Sequence, residues 1–414
     1  MLTVGEARNR ILDAVRPLPA QTFPLEDARG RVLAESLVAS RDVPPFANSA
    51  MDGYAVRVED LRGVGPGRPV RLPVRGEIRA GSPPSGPLPP RTVFRIMTGA
   101  PLPAGSNAVV RLEDTAESEG LVDIQVTVEP GTAVRKAGSD ILKGDRIASA
   151  GRVLTPGLIG VIASSGRADV PCTRPPRVLL LSTGDELRSA TERLEPGQIV
   201  NTNRYTLRAA IEEAGALVID AGVARDDVSD LARRLQQAQS ADLVVSTGGV
   251  SMGAYDLVRE VVSEQGAIDF WQVAVRPGKP LAFGSIHGVP LIGLPGNPVS
   301  ALVGFELFVR PALLRMQGRT LLERPRRPAR LDVELESPPH LEQYFRGIAR
   351  ELNDGTLQVG LTGDQGSHVL RSMADANCLI PVAAGTGRLA AGSVVQVIML
   401  GEAQGETQGA EQAR

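Results

Sequence analysis

The sequence predicts a multidomain protein of the α/β plus β class, and three observations support this prediction. Its 414 residues exceed what one hydrophobic core usually organises. From residue 177 onward, apolar segments alternate with helical ones, which predicts a central, mostly parallel three-layer α/β domain. Short alternating segments on both sides of it, among 45 glycines and 32 prolines, predict an inserted small β-domain and a C-terminal β-barrel.

Changes in pattern along the chain set the predicted domain boundaries. A discontinuous N-terminal domain, mixed but mainly helical, is predicted from residues 1–42 and 138–176, and the β-domain is inserted into it at 43–137. The α/β domain is predicted at 177–320 and the β-barrel at 321–403. Residues 404–414 lack apolar periodicity and are predicted to be a disordered tail.

Local signals predict the individual elements in chain order. Thr3 and Glu6 form a capping box that starts the first helix. The second helix starts at Thr155 and Pro156 and stops at Gly166. Between these helices, VRLPV, RTVFRIM and VDIQVTV alternate apolar and polar residues, as strands do.

The α/β and barrel segments follow the same reasoning. Strands are predicted at RVLLLS, ALVIDAGV, DLVVSTGG, AIDFWQV, LAFGSI and VPLIGLPG. Helices are predicted at NTNRYTLRAAIEEAGA, DDVSDLARRLQQAQ, AYDLVREVVSEQG and the long VSALVGFELFVRPALLRMQG. After a basic connector, ERPRRPAR, the barrel is predicted from LDVELE, an Asn-Asp-Gly turn at 353–355, NCLIPV and SVVQVIM.

Composition excludes several classes of function. With 45 basic and 47 acidic residues, the chain lacks the positive excess of a nucleic-acid binder. Its two cysteines form no C-x-x-C motif, which favours a reducing cytoplasm over disulfide or thiol chemistry. The three histidines have no metal-ligand spacing, and neither a secretory signal nor a membrane span is predicted.

Three predicted strands of the α/β domain end in loops with acidic side chains. Asp185 and Glu186 follow the first, Asp226 and Asp227 follow the second, and TGGVSMGAYD at 247–256 follows the third. Because the carboxyl ends of parallel strands lie at one edge of the sheet, these loops are expected to open onto one crevice.

The third loop has the composition of an anion-binding loop. Its glycines and hydroxyls precede a helix, so Thr247, Gly248, Gly249 and Ser251 suit a substrate phosphate, and a following carboxylate suits Mg²⁺. The alternative is an ordinary turn with an N-cap aspartate. The loop also matches G-x-S-x-G, but it is too long for a nucleophile elbow and no histidine stands in a partner motif.

Four further loops carry candidate residues. RPGKP, with Arg276 and Lys279, combines a rigid turn with positive charge, and LPGNP at 294–298 is a second rigid turn. In the predicted β-domain, Asp52 lies in DVPPFANSAMDGYAV and Thr98 lies in RIMTGAP. A purely structural turn is an alternative explanation for each loop.

Seven motifs in order resemble the molybdopterin molybdenumtransferases, the family that includes the C-terminal enzyme domain of gephyrin. They are DVPPFANSAMDGYAV, RIMTGAP, STGDEL, NTNRYTL, STGGVSMGAYD, RPGKP and GLPGNPVSA. The resemblance implies an elongated four-part subunit with a molybdopterin-binding α/β domain. It also implies a homodimer whose active site combines that domain with the partner's Asn-Ser-Ala-Met-Asp-Gly loop. The implied reaction is the Mg²⁺-dependent insertion of molybdate into adenylyl-molybdopterin with release of AMP, and a transient contact with the molybdopterin adenylyltransferase is expected.

The resemblance implies roles for individual side chains. Asp52 and Thr98 would act at the dimer-facing side, while Glu186, Asp227 and Asp256 would position Mg²⁺ or the substrate phosphate, with Glu186 and Asp256 as metal ligands. The remaining implied contacts with pterin or molybdate come from Arg276, Lys279, Pro295, Asn297, Pro298, Arg346 in YFRG and Ser367 in DQGSH.

Departures from the family pattern leave alternatives open. Family members often have acidic residues where this chain has Ala47 and Ala254, so neither side chain can bind metal here. Arg276 replaces the usual first lysine of its turn without loss of charge. A molybdopterin adenylyltransferase and a non-catalytic dimeric scaffold are the two other functions considered.

Overall fold

The computed structural model describes residues 1–65, 67–225, 227–248 and 266–405. The chain forms two compact units. One comprises Met1–Gln21, Gly30–Ala34 and Cys172–Arg414, and the other comprises Thr22–Arg29 and Glu35–Pro171. Residues 254–265 of the segment AYDLVREVVSEQG, predicted to be helical, lie outside the described residues. No helix within the described ranges is long and apolar enough to cross a membrane.

Two of the described helices begin at the caps that the sequence predicts, Thr3 and Thr155. The described helices are α1 (Val4–Ala14), α2 (Pro156–Ser164), α3 (Thr202–Glu213), α4 (Val228–Leu235), α5 (Pro298–Gly304), α6 (Arg310–Met316) and α7 (Arg371–Ala374). The Thr3 hydroxyl accepts from the Glu6 N–H at 3.2 Å, and the Glu6 carboxylate accepts from the Thr3 N–H at 2.7 Å, so the capping box is confirmed. Thr155 caps α2 in the same way, through the Leu158 N–H at 3.3 Å.

The long helix predicted at the end of the α/β domain is interrupted. Phe305–Val309 forms a π-helical turn between α5 and α6. There the Arg310 N–H donates to the Phe305 carbonyl, five residues back. Pro311 follows directly and has no N–H to donate, so a wide turn accommodates it where a regular helix would be strained.

The second unit contains a six-stranded sheet. Its strands are β1 (Gly53–Val56), β2 (Val70–Ile78), β3 (Val93–Ile96), β4 (Ala108–Arg111), β5 (Thr115–Ser118) and β6 (Leu121–Ile124). They lie in the order β4-β1-β3-β2-β6-β5, antiparallel except for the β2–β3 pair. Tyr54, Val93 and Ile124 are among the side chains buried in its core.

The central sheet of the first unit is mostly parallel, as predicted. Its strands are β7 (Arg177–Thr183), β8 (Leu217–Ala224), β9 (Leu243–Thr247), β10 (Gly266–Gln272), β11 (Pro280–Ile286) and β12 (Val289–Leu294). In the order β8-β7-β9-β12-β11-β10, the first four strands are parallel, and β11 pairs antiparallel with both β12 and β10.

Helices cover both faces of this sheet. Along β7, Val178 and Leu180 pack in one core with residues of α1 and α3, while Leu179 and Leu181 pack in another with residues of α4. Successive side chains of a strand point to opposite faces, so both faces of β7 are apolar because both are covered. The three layers are therefore present.

The C-terminal strands close into a five-stranded barrel. They are β13 (Arg326–Leu331), β14 (Glu342–Glu351), β15 (Leu357–Leu361), β16 (Cys378–Val382) and β17 (Val394–Met399). They pair in the ring β14-β15-β13-β17-β16, and β16 returns to β14. The predicted Asn-Asp-Gly turn joins β14 to β15, with Gly355 at φ +78°. The predicted fold class is confirmed, and the domain boundaries stay predictions.

One predicted connector is partly a strand. Residues 326–330 of ERPRRPAR belong to β13, in which Ala329 and Leu331 are buried in the barrel core while Arg330 between them is exposed. Shorter strands complete the described structure at Ala20–Pro24, Leu37–Val38, Asn48–Ser49, Val134–Arg135, Arg146–Ala148, Asp169–Thr173, Leu187–Arg188, Ile199–Val200, Val275–Arg276, Leu335–Glu336, Arg388–Leu389 and Gln404–Gly405.

Candidate active site

The carboxyl ends of β7, β9 and β12 lie side by side, as the sequence predicts. Thr247, the last residue of β9, is buried and its hydroxyl donates to the Ser182 hydroxyl at 3.1 Å. The next residue, Gly248, donates its N–H to the Leu294 carbonyl at 3.3 Å. These bonds hold the start of the predicted phosphate-binding loop against both neighbouring strands.

Gly248 occupies a position that suits glycine only. Its φ is +81°, and a Cβ there would lie 2.6 Å from the Thr183 carbonyl oxygen. The backbone at this strand end is therefore tightly packed against Thr183. The predicted site residues Gly249, Ser251 and Asp256 lie outside the described residues.

The LPGNP turn joins this edge to a loop of the barrel. Pro295 is buried, and Asn297 and Pro298 start α5. The Asn297 side-chain amide donates to the Ser367 hydroxyl at 3.1 Å, and the Val299 N–H donates to the Ser367 carbonyl at 3.3 Å. Two predicted contacts that lie 70 residues apart, Asn297 and Ser367, are thus brought together.

Arg346, on β14, is a buried cation held by neutral groups. Arg346 is only 1% exposed. Its Nε donates to the Ser372 hydroxyl at 3.1 Å, and its Nη2 donates to the Gly366 carbonyl at 3.2 Å. Burial lowers the pKa of Arg346 to about 10; Asp364 opposes this shift and the charge of Arg276 contributes to it. Among the described residues, no carboxylate forms an ion pair with this guanidinium.

Two further cations belong to the same region. Arg276 is exposed on the short strand that pairs with β14, where it lies opposite Gln343. Lys279 is exposed in the turn that follows. Arg346 is buried, is close enough to a second cation for their charges to interact, and has no acidic partner in the described structure. This arrangement is typical of a site for an oxyanion.

Two acidic residues of the strand-end loops, Glu186 and Asp227, differ in their surroundings. Glu186 is exposed, and its carboxylate lies against Gly184. A Cβ added to Gly184 would lie 2.6 Å from Glu186 Oε2. Asp227 caps α4 by accepting from the Ser229 hydroxyl at 2.5 Å and the Asp230 N–H at 2.9 Å. These bonds, the Ser229 hydroxyl first, lower the pKa of Asp227 and keep it ionised. Asp227 therefore serves as the N-cap of α4.

Asp52 and Thr98 form a pair in the second unit. Asp52 Oδ1 accepts from both the N–H and the hydroxyl of Thr98, each at 2.7 Å. The backbone bond and then the hydroxyl bond lower the pKa of Asp52. The adjacent Gly53 is packed so closely that a Cβ would lie 2.0 Å from the Val110 carbonyl oxygen, which fixes the backbone beside this carboxylate.

Sequence reasoning missed the residues that hold Arg346. Ser372 contacts its Nε, and Gln365 accepts from its backbone N–H at 2.8 Å and donates to its carbonyl at 3.3 Å. Gln365 lies in a loop 19 residues beyond Arg346, and Ser372 lies in a short helix 26 residues beyond it. No local pattern marks a hydroxyl or amide that acts across such a separation.

Comparison with known proteins places this chain in a family. Successive parts match the MoeA N-terminal region (domain I and II) at residues 2–166, a probable molybdopterin binding domain at 179–315 and the MoeA C-terminal region (domain IV) at 328–400. Molybdopterin molybdenumtransferase 2 of Mycobacterium tuberculosis is 40% identical over 404 residues, which cover 96% of this chain and 99% of that protein. The chain belongs to the molybdopterin molybdenumtransferase family.

Other relatives agree with the family assignment. The molybdopterin molybdenumtransferase of Haemophilus influenzae is 37% identical over 96% of this chain and 98% of its own length. A crystal structure of a molybdopterin biosynthesis MoeA protein from Pyrococcus horikoshii superposes with a TM-score of 0.83 at 33% identity, covering 97% of this chain and 100% of that one. Within the family pattern, the strand-end loops belong to the probable molybdopterin binding domain, and Arg346 and Ser367 belong to the C-terminal region.

Proposed function

We propose that this chain inserts molybdate into adenylyl-molybdopterin and releases AMP, as a molybdopterin molybdenumtransferase. The observation that carries the proposal is the buried Arg346, held by Ser372 and Gly366 and influenced by the charge of Arg276. Molybdate is a small dianion, and a desolvated guanidinium whose charge is not neutralised binds such an oxyanion strongly.

The other predicted side chains fit this reaction by position. Arg276, Lys279, Arg346 and Ser367 would hold molybdate, while the N–H groups after β9 would bind the substrate phosphate. The pterin would lie against the turn formed by Pro295, Asn297 and Pro298. Asp52 and Thr98 would act on the substrate of the partner subunit in a homodimer.

The proposal includes Mg²⁺. The described residues fit an ion that is held mainly by the substrate phosphate and not by a cluster of protein ligands. They contain no cluster of three or more His, Cys, Asp or Glu side chains that could hold a metal. Glu186 is an exposed carboxylate at the strand ends, and Mg²⁺ commonly combines one or two carboxylates with phosphate oxygens. Bound there, the ion would neutralise charge on the phosphate that leaves with AMP.

The cellular setting is proposed from the same family. We place the reaction in the cytoplasm, where a transient contact with the molybdopterin adenylyltransferase would bring the adenylylated substrate within reach. The two buried cysteines are compatible with a reducing compartment.

The direct test supplies purified protein with adenylyl-molybdopterin, molybdate and Mg²⁺. AMP release together with formation of molybdenum cofactor is expected, and Arg346→Ala should lower kcat/KM at least about 100-fold. Arg371→Ala is the matched control, because this exposed arginine pairs with Asp375 on the surface of the same unit. Wild-type activity in Arg346→Ala would contradict the molybdate site.

The same protein given ATP, Mg²⁺ and molybdopterin tests the adenylyltransferase alternative. No adenylylated product is expected. Prompt formation of that product without a partner protein would replace the proposed reaction by the adenylyltransferase reaction. A gene deletion that leaves molybdoenzyme activity intact would instead favour the scaffold function.

A further inference from the structure

The loop that contains Ser367 is attached to the backbone of Arg346. β15 pairs with β14 only as far as Gly347, which lies opposite Leu361. Arg346 is the next residue along β14, beyond the last pair of this ladder. Its N–H and carbonyl need other partners there, because buried backbone groups are almost always hydrogen-bonded.

The side chain of Gln365 supplies partners to both of these backbone groups. Its oxygen accepts from the Arg346 N–H at 2.8 Å, and its nitrogen donates to the Arg346 carbonyl at 3.3 Å. The same carbonyl accepts from the N–H and the hydroxyl of Thr362, at 3.2 and 3.3 Å. One amide side chain thus completes the strand pairing at Arg346, in place of a further residue of β15.

Gln365 also fixes the shape of the loop in which it lies. Its side-chain nitrogen donates to the Gly363 carbonyl at 3.0 Å, and the N–H of the next residue, Gly366, donates to Asp364 Oδ1 at 2.8 Å. The Gly366 carbonyl in turn accepts from Arg346 Nη2 at 3.2 Å. The loop is therefore bound to both the backbone and the guanidinium of Arg346, and the groups that accept from Arg346 here are neutral, so its charge is not cancelled.

Ser367, two residues after Gln365, links the same loop to α5. Its hydroxyl accepts from the Asn297 side-chain amide at 3.1 Å, and its carbonyl accepts from the Val299 N–H at 3.3 Å. The position of Ser367 relative to Arg346 is thus set through the short segment 365–367. Because both side chains belong to the proposed molybdate site, a shift of this segment would separate two of its contacts.

We propose that Gln365 is a positioning residue for molybdate, an assignment that rests on the proposed function. Its amide holds the loop so that Arg346 and Ser367 keep the spacing that a small tetrahedral oxyanion requires. Several donors bind one such ion together only when each is held within about 0.5 Å of its productive position. Gln365 acts through these two residues and not through contact with the ion.

Steady-state kinetics of molybdate insertion by the full chain tests this role. Gln365→Met keeps the length of the side chain but loses the amide, so the KM for molybdate should rise about tenfold while the KM for adenylyl-molybdopterin stays unchanged. Gln365→Asn keeps the amide on a side chain one methylene shorter and should show the same loss, because the amide no longer reaches Arg346. Gln396→Met, at an exposed glutamine on β17 of the same barrel, is the matched control and should behave as wild type.

A double-mutant cycle shows whether Gln365 acts through Ser367. Ser367→Ala should raise the KM for molybdate by a factor at least about threefold smaller in Gln365→Met than in the wild-type background, because Ser367 is already displaced there. Equal factors in the two backgrounds overturn the positioning role. A wild-type KM for molybdate in Gln365→Met, or equal rises in KM for both substrates, also overturns it while the proposed function stands. If the wild-type protein inserts no molybdate, the proposed function fails and the positioning role fails with it.

Discussion

At the scale of single residues, the candidate site keeps its charges unneutralised. Arg346 is held by a hydroxyl and a carbonyl, and Asp52 is held by the N–H and hydroxyl of Thr98. Arg324, in contrast, forms ion pairs with Glu306 and Glu213. A charge oriented by dipoles remains available to a ligand, whereas a charge in an ion pair is largely cancelled, so the first arrangement suits binding and the second suits structure.

The Asp52–Thr98 pair makes a prediction about pH. Both hydrogen bonds favour the carboxylate and lower its pKa, so their contribution is present above the ordinary value of 3.8 and is lost as pH falls through the lower folded value. Thr98→Val removes the hydroxyl but keeps the N–H, so the pKa of Asp52 should rise part of the way towards 3.8. Carbon-detected NMR titration of the carboxyl group measures this shift.

Thr115→Val is the control for this titration, because the Thr115 hydroxyl donates to the Leu112 carbonyl and not to a carboxylate. It should leave the pKa of Asp52 unchanged. An identical Asp52 titration in wild type and Thr98→Val would show that the hydroxyl bond does not persist in solution.

Ser372 is predicted to position Arg346. Its hydroxyl accepts from Arg346 Nε and donates to the Val369 carbonyl at 2.7 Å, so Ser372→Ala leaves a buried N–H without its acceptor. The KM for molybdate should rise about tenfold, with little change in kcat or in the KM for adenylyl-molybdopterin. Ser372→Thr keeps the hydroxyl and should restore the wild-type KM. Equal losses for both substrates in Ser372→Ala would indicate a general structural role.

At the scale of elements, local caps start the helices, and the loops at the strand ends bring the candidate site residues together. Thr155 starts α2 and Pro156 occupies its first turn, a position that needs no N–H. The turn between β12 and α5 instead depends on partners elsewhere, since Asn203 donates to the Gly296 carbonyl at 2.7 Å and Ser367 contacts Asn297. An element can thus form from its own sequence while its loop is placed by others.

Loss of the α2 cap should loosen that helix alone. Thr155→Ala removes the acceptor for the Leu158 N–H, which costs about 1 kcal/mol and should speed amide exchange in α2 roughly 5-fold. Thr155→Ser keeps the acceptor and should exchange at the wild-type rate. Unchanged exchange in Thr155→Ala would mean that tertiary packing and not the cap limits opening of α2.

At the scale of the whole molecule, the proposed residues are distributed over two compact units. Asp52 and Thr98 belong to one unit, and the strand-end loops with Arg346 belong to the other. The family resemblance pairs each of these groups with the opposite group of a second subunit. The proposed homodimer therefore has two equivalent sites related by two-fold symmetry.

Mixing two inactive variants tests this arrangement. Asp52→Ala and Asp256→Ala subunits that re-pair at random form heterodimers in half of all dimers, and each heterodimer has one intact site. Activity should recover to about a quarter of wild type, by this counting from two-fold symmetry. Native mass spectrometry confirms the exchange of subunits. A mixture that exchanges but stays inactive would place all the residues of one site within one chain.

Local sequence patterns predicted the fold class and most of the helices and strands. The capping box at Thr3, the Asn-Asp-Gly turn and the period of apolar residues in the strands each depend on neighbours within a few positions, so their outcome is readable locally. Family motifs added candidate residues, because such motifs preserve spacing within single loops. The interruption before Pro311 was missed because a proline inside a helix can be accommodated in several ways.

The contacts between distant parts of the chain are set by the tertiary structure. Arg346 is buried and contacts Ser372, and Asn297 contacts Ser367; both contacts join residues far apart along the chain. Burial and hydrogen bonding depend on distance in space, which the packing of strands and helices sets. The charge state and orientation of the site are therefore properties of the folded protein, and no segment of the sequence carries them alone.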